Sequence, residues 1–349
     1  MKNQIFEEIS SLSGDWVKKA KDKLDSLTKP RGSLGYLEEI TARVVSIQEQ
    51  ERPSVEKKEV FVFAGDHEVV IEGVSAYPQE VTRSMVRNFL TGGAAINVLA
   101  RSAGAGVSVI DIGMKEDLDD ADGLIRKNVK RSAGNIALGP AMTPEQAEKA
   151  IHVGIEMAYH AKNRGVRMIA TGEMGIGNTT PASALFSALL PASPEDVTGR
   201  GTGLDDDALK RKVKVIKKAL AINRTAVDDP LLTLAGVGGL EIAGICGLCL
   251  GGAANRMVLV VDGFISSAGA LVAMRLDPRV KDYLFFSHKS SETGHKVLFE
   301  REGIRPILDL DLRLGEGTGA VLAMGIIEDS LRIYNEMATF EDVGIEPGA

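Results

Sequence analysis

Five short runs rich in β-branched and aliphatic residues punctuate the chain, at 60–64, 107–112, 167–170, 258–261 and 307–310. Continuous apolar runs of this length are the pattern of strands buried on both faces. Each leads into a glycine-containing turn. The first meets Gly65-Asp66-His67, the second Gly113, and the third a loop from Thr171 to Pro181; the fourth meets Asp262-Gly263, and the fifth precedes 313–319. Segments of helical period separate the runs. Thr143-Pro144-Glu145-Gln146 offers an N-cap threonine, proline at the first helical position and glutamine where it completes a capping box. Asp205-Asp206-Asp207 opens a segment that ends in a basic run, so its charges suit the helix dipole at both ends. This alternation predicts an α/β fold with a mostly parallel sheet. The first 50 residues differ, being charged and helical in pattern with no strand. They predict a helical appendage packed with a C-terminal helix over about 320–337. The expected division is a small helical domain from 1–50 and about 320–349, beside an α/β domain over 51–319.

Composition narrows the class. With 349 residues the chain can bury roughly 75% of its extended surface. Apolar residues at 44% and charged residues at 26% describe an ordinary globule rather than a disordered chain. A net charge of −7 argues against general nucleic-acid binding. Two cysteines cannot build a secreted disulfide scaffold. The N-terminus has no apolar core of a signal peptide, and the longest mostly apolar uncharged stretch, 242–255, is too short for a membrane span. A cytoplasmic protein with no membrane association is expected. The unusual feature is 38 glycines without a repeat, against a usual ~7%.

Ligands of open α/β sheets sit beyond the carboxyl ends of the strands, where all these turns fall. The loop 172–180 has three glycines, Glu173 and two threonines before an expected helix near Pro181. Its N–H groups suit a phosphate, although it is neither a P-loop nor a GxGxxG turn; a plain tight turn is the alternative. Gly199-Arg200-Gly201-Thr202-Gly203 precedes the basic segment with Lys210, Arg211, Lys212 and Lys214, either a second anion-holding loop or a solvated face. Leu314-Gly315-Glu316-Gly317-Thr318-Gly319 sets one carboxylate between bare backbone, an arrangement suited to close ligand approach and general-base chemistry. Asp66-His67 fits catalysis, metal binding or structural hydrogen bonding. Cys246 and Cys249 lack the further ligands of a zinc site and read as small helix-packing residues. His288 and His295 flank a polar stretch that predicts an exposed loop.

Taken together, Lys29–Gly35, Ala64–His67, 172–181, 199–212, Leu259–Gly263 and Arg313–Gly319 resemble, in order, the nicotinate-nucleotide–dimethylbenzimidazole phosphoribosyltransferase family. The resemblance implies transfer of the phosphoribosyl group of nicotinate mononucleotide to a benzimidazole-type base, giving α-ribazole 5′-phosphate and nicotinate for cobalamin assembly. It implies a Rossmann-like sheet, a homodimer, and no metal or organic cofactor. Glu316 matches the family's general base and Glu173 its second functional carboxylate. Gly175, Gly177, Asn178, Thr179, Gly201 and Lys212 match the phosphate and ribose site. The base pocket is expected at Tyr77, Met85 and Leu314. Where the family commonly has glycine after Asp-His this chain has Glu68, and Tyr77 and Met85 stand where dimethylbenzimidazole-type members carry small or polar residues. These two side chains are expected to reshape the base preference.

Two other classes share part of this pattern. A nicotinamide-dinucleotide oxidoreductase would show GxGxxG after an early strand, which the Gly65 turn does not supply. A non-catalytic nucleotide-binding protein would have no use for Glu316.

Overall fold

The computed structural model describes residues 2–118, 121–201, 203–223 and 228–345. Six strands form one sheet: β1 (Lys58–Gly65), β2 (Ala105–Gly113), β3 (Leu124–Arg126), β4 (Met168–Met174), β5 (Val258–Val261) and β6 (Leu284–Phe286). Their order is β3-β2-β1-β4-β5-β6 and every pair is parallel. This is the doubly wound Rossmann order. Its direction reverses between β1 and β4, which pair from Lys58 with Met168 to Ala64 with Met174.

Central strands buried on both faces carry the expected apolar runs, and β1 is buried at every position. The run 307–310 forms no strand. Leu308 makes a single parallel bridge to His288, while Leu310 is exposed, so the sheet ends at β6 and the run lies along its margin. Two edge strands, β3 and β6, are three residues each and fall outside the five runs. The third run extends further than its apolar residues, since Thr171, Gly172, Glu173 and Met174 are strand rather than loop.

Helices cover both faces. Thr143 caps the helix Pro144–Asn163 through the expected capping box, its hydroxyl accepting from Gln146 N at 3.2 Å. That helix lies directly on the glycine-rich helix Leu240–Ala254, where a Cβ at Gly247 would collide with the Ile151 carbonyl. Cys246 and Cys249 are buried free thiols of the same helix, consistent with a packing role. The charged N-terminal segment forms the helices Lys2–Glu8, Gly14–Ser26 and Tyr36–Gln48. Ala20, Leu24, Leu27, Ala42 and Val45 from this region enclose Tyr334 of the C-terminal helix Thr318–Glu336 in a small separate core. Thr28 N donates to Ala338 O at 3.0 Å and Phe340 N to Ser26 O at 2.9 Å, tying the two chain ends together. Residues 346–349 of the expected C-terminal segment, and Thr202 of the second glycine loop, lie outside the described residues. Among the described residues no helix is long and apolar enough to cross a membrane.

Candidate active site

At the switch point, beyond β1 and β4, lies a cavity of about 480 Å³. Glu173 enters it from the end of β4 and Glu316 from the loop before the C-terminal helix. The strand-to-helix loop contributes Gly175, Gly177, Asn178 and Thr179, with Gly201 beside them. Tyr77, Val81 and Met85 form one wall with Val74 and Ile176, and Leu314 stands at the rim, 58% exposed.

Glu316 is held in a strained loop. Gly315, Glu316 and Gly317 have φ of 86°, 65° and 98°, three successive residues in the left-handed region. A non-glycine residue there costs of order 1–3 kcal/mol and persists only where its surroundings impose it. Asp262, just after β5, supplies that restraint by accepting Gly317 N at 3.2 Å and Ala320 N at 3.0 Å. It thereby caps the C-terminal helix with a carboxylate. Gly172 permits the close approach, because a Cβ there would lie 2.5 Å from the Glu316 carbonyl oxygen. The Glu316 carboxylate accepts Ile96 N, in the first turn of the helix Ala95–Ala103, at 3.3 Å. Burial raises its pKa and Asp262 adds to the rise, against the lowering by the Ile96 N–H.

Glu173 is buried, and burial pushes its pKa up to about 8. The Asn178 amide, which donates to Glu173 Oε2, opposes that rise, whereas Asp262 and Glu241 add to it. The two carboxylates are neighbours through the backbone, since Glu316 N–H also favours ionised Glu173. Both are therefore primed to exchange a proton or to respond to an incoming cation.

The glycine-rich loop between β4 and the next helix is ordered by its own hydrogen bonds. Within the loop, Asn178 N donates to Gly175 O, Thr180 N to Gly177 O and Ile176 N to Thr82 Oγ1. Gly177 N and Thr179 N make no such bond among the described residues, and they open the helix Thr179–Leu189, two residues earlier than the sequence suggests. Lys212 does not line the cavity. Its fully buried ammonium donates to Thr179 Oγ1 at 2.7 Å and to Gly199 O at 3.3 Å, so it braces both glycine loops from behind. Burial lowers its pKa to about 8 against the pull of Glu292. The remainder of the basic run is surface, with Lys210 paired to Asp207 and Lys217 to Glu195.

Asp66 and His67 lie behind the site. His67 Nε2 sits 2.8 Å from Glu241 Oε1, both side chains buried, and neither Asp66 nor His67 lines the cavity. Burial lowers the His67 pKa, but Glu241 and Asp66 outweigh it and the net direction is upward. Asp66 Oδ2 accepts Lys115 N at 2.9 Å, and Glu68 after the pair is exposed at the start of a 3-10 turn. The stretch expected as an exposed loop around His288 and His295 exposes Lys289, Ser291 and Thr293, but His288, Ser290, Glu292 and His295 are buried. His295 accepts Ser290 N at Nδ1 (2.9 Å), which leaves Nε2 to bond Ser267 Oγ at 2.9 Å, and burial takes its pKa down to about 3. His288, Ser290 and Glu292 form a polar cavity wall that the sequence does not reveal, and the restraining role of Asp262 is equally silent there. Among the described residues no group of three or more His, Cys, Asp or Glu is arranged to hold a metal ion.

A parallel sheet of Rossmann order, a glycine-rich strand-to-helix loop at its switch point and two buried carboxylates beside that loop are the frame of a nucleotide-handling group-transfer protein. A family model described as Phosphoribosyltransferase (DBI_PRT) matches residues 9–345. A nicotinate-nucleotide–dimethylbenzimidazole phosphoribosyltransferase of Geobacter sulfurreducens is 55% identical over 345 residues, 99% of this chain and 98% of that one. The protein of the same name from Prosthecochloris aestuarii is 53% identical over 342 residues, covering 98% and 97%. A crystal structure of CobT from Thermus thermophilus superposes with a TM-score of 0.92 at 48% identity, covering 96% of this chain and all of that one (100%). The chain belongs to the nicotinate-nucleotide–dimethylbenzimidazole phosphoribosyltransferase family.

Proposed function

We propose that Glu316 and Glu173 are the working carboxylates of the reaction this family membership assigns. The chain transfers the phosphoribosyl group of nicotinate mononucleotide to 5,6-dimethylbenzimidazole or a related base, giving α-ribazole 5′-phosphate and nicotinate. The observation that carries the residue assignment is the convergence of two buried, proton-avid carboxylates on one cavity whose floor offers unpaired N–H groups.

In this reading the 5′-phosphate rests on Gly177 N–H and Thr179 N–H at the helix start, where the dipole favours an anion. Gly175, Asn178 and Gly201 shape that seat, and Lys212 braces it through Thr179. The base lies along Val81, Met85, Tyr77 and Leu314. As the C1′–N bond to the pyridinium breaks, its electron pair returns to the ring nitrogen, the ring becomes neutral, and the pyridine-3-carboxylate anion leaves without an acid. Positive charge grows on C1′, and Glu173, ionised by the approaching cation, stabilises it. One ring nitrogen of the base supplies the electron pair for the new bond while the other gives its proton to Glu316. Such general-base assistance is typically worth about 10²–10⁴-fold. Attack opposite the leaving ring converts a β-nucleotide into an α-product. The substrates are small molecules, and the working form is a homodimer, as the resemblance implies. The helices of 1–50 and the C-terminal segment, over its described residues 320–345, form the smaller domain against 51–319, an arrangement supported by the separate core around Tyr334.

The experiment mixes purified protein with nicotinate mononucleotide and follows nicotinate release with dimethylbenzimidazole, benzimidazole, adenine or a phenol. Release that depends on an added base supports the transferase; equal release without base points to hydrolysis.

A further inference from the structure

The cavity is lined by four carboxylates, Glu173, Asp262, Glu292 and Glu316, yet its proposed substrate carries both a phosphate and a ring carboxylate. Among the described lining residues one Lys or Arg faces this charge, Arg313. It makes no ion pair with any of those four carboxylates, although it precedes Glu316 by only three positions. An arginine left unpaired beside four acids is placed for a ligand anion rather than for the fold. The two anionic groups of the nucleotide have different surroundings. The phosphate end is served by Gly177 N–H, Thr179 N–H and the helix start. In the functional reading above the pyridine ring is attached at C1′, the carbon that reacts beside Glu316, and Arg313 is the cation of the loop that carries Glu316.

We propose that Arg313 holds the ring carboxylate of the nicotinate nucleotide and thereby selects it over the corresponding carboxamide, nicotinamide mononucleotide. The inference rests on the functional reading above. A guanidinium matches a carboxylate with two parallel N–H···O bonds, and it gains nothing comparable from a neutral amide. Hydrogen bonds to charged groups change affinity by about 10- to 100-fold, and the exposure of Arg313 places the effect near the lower end.

The test compares Arg313→Gln and Arg313→Lys with wild type by calorimetric titration of the two nucleotides, separately from turnover. For Arg313→Gln, affinity for the nicotinate nucleotide falls about tenfold or more while affinity for the nicotinamide nucleotide is unchanged, so the preference collapses. Arg313→Lys retains the charge and restores part of the preference. Equal loss on both nucleotides overturns the proposal in favour of a phosphate contact, and an unchanged ratio overturns it outright. Wild type that binds the nicotinate nucleotide but releases nicotinate with no base would overturn the reaction and still leave Arg313 tested by the binding ratio.

Discussion

Replacing Glu173 with glutamine removes one titrating proton from the centre of the site, and the effect on stability has a definite pH dependence. The folded carboxyl has its pKa pushed from the usual 4.5 to about 8, chiefly by burial. The unfolded chain gives up this proton near the usual value, whereas the native protein keeps it until the higher one. Wild-type stability is therefore fully present below the unfolded value and is lost as pH rises towards 8. Each pH unit between the two costs about 1.4 kcal/mol. Between pH 6 and pH 9 this is about 3 kcal/mol, and over the whole interval roughly 5 kcal/mol. Glutamine keeps the volume and an oxygen for the Asn178 amide but does not titrate. Its loss of the second acceptor near Glu316 N–H adds an offset that is the same at every pH. Urea unfolding of wild type and Glu173→Gln at pH 6 and pH 9 isolates the pH-dependent part. The variant gains relative to wild type by about 3 kcal/mol on going to pH 9, while its turnover falls. A difference in stability that does not change with pH would refute the burial argument for Glu173.

Lys212→Met removes the buried ammonium while roughly keeping its volume, and the acceptors left unsatisfied lower stability by about 1–3 kcal/mol in thermal unfolding. Thr179 Oγ1 and Gly199 O lose their shared donor, and KM for the nucleotide rises about tenfold in steady-state assays. An unchanged KM would remove Lys212 from the phosphate seat. Gly315→Ala places a methyl group at φ 86° against Glu173 Oε1. It costs about 1–2 kcal/mol of stability by thermal unfolding but lowers kcat/KM disproportionately, because the carboxylate itself must move.

The central sheet was legible because β1, β2 and β5 carry mostly apolar runs, unbroken over 60–64 and 258–261 and interrupted in β2 by Ser108 and Asp111, the pattern of strands covered on both faces. The edge strands were not, since three residues carry no period, and 307–310 imitated a strand although it makes only one bridge, Leu308 to His288, past the end of β6. Glu316 was visible through its flanking glycines, which the structure explains by its left-handed backbone. Glu173 was visible as chemistry but misplaced as loop. Gly172 and Glu173 have poor strand propensity, and what holds them extended is pairing with β1, with Gly172 bare because the Glu316 carbonyl packs onto it. The wall of His288, Ser290 and Glu292 gave no sequence signal, because a polar segment facing an internal cavity has the composition of one facing water. Asp262 looked like an ordinary turn residue. Its work, holding Gly317 and Ala320, is done across 55 and 58 positions of sequence. Thr82 is similarly silent: its hydroxyl ties the helix bearing Val81 and Met85 to Ile176 N at 3.1 Å.

The most direct measurement of the central claim compares Glu316→Gln with wild type for nucleotide binding and for base-dependent nicotinate release on the same preparations. The account predicts a dissociation constant for nicotinate mononucleotide within a factor of about three and turnover reduced about 10²–10⁴-fold. Turnover close to wild type would contradict it and take the proton-accepting role away from Glu316.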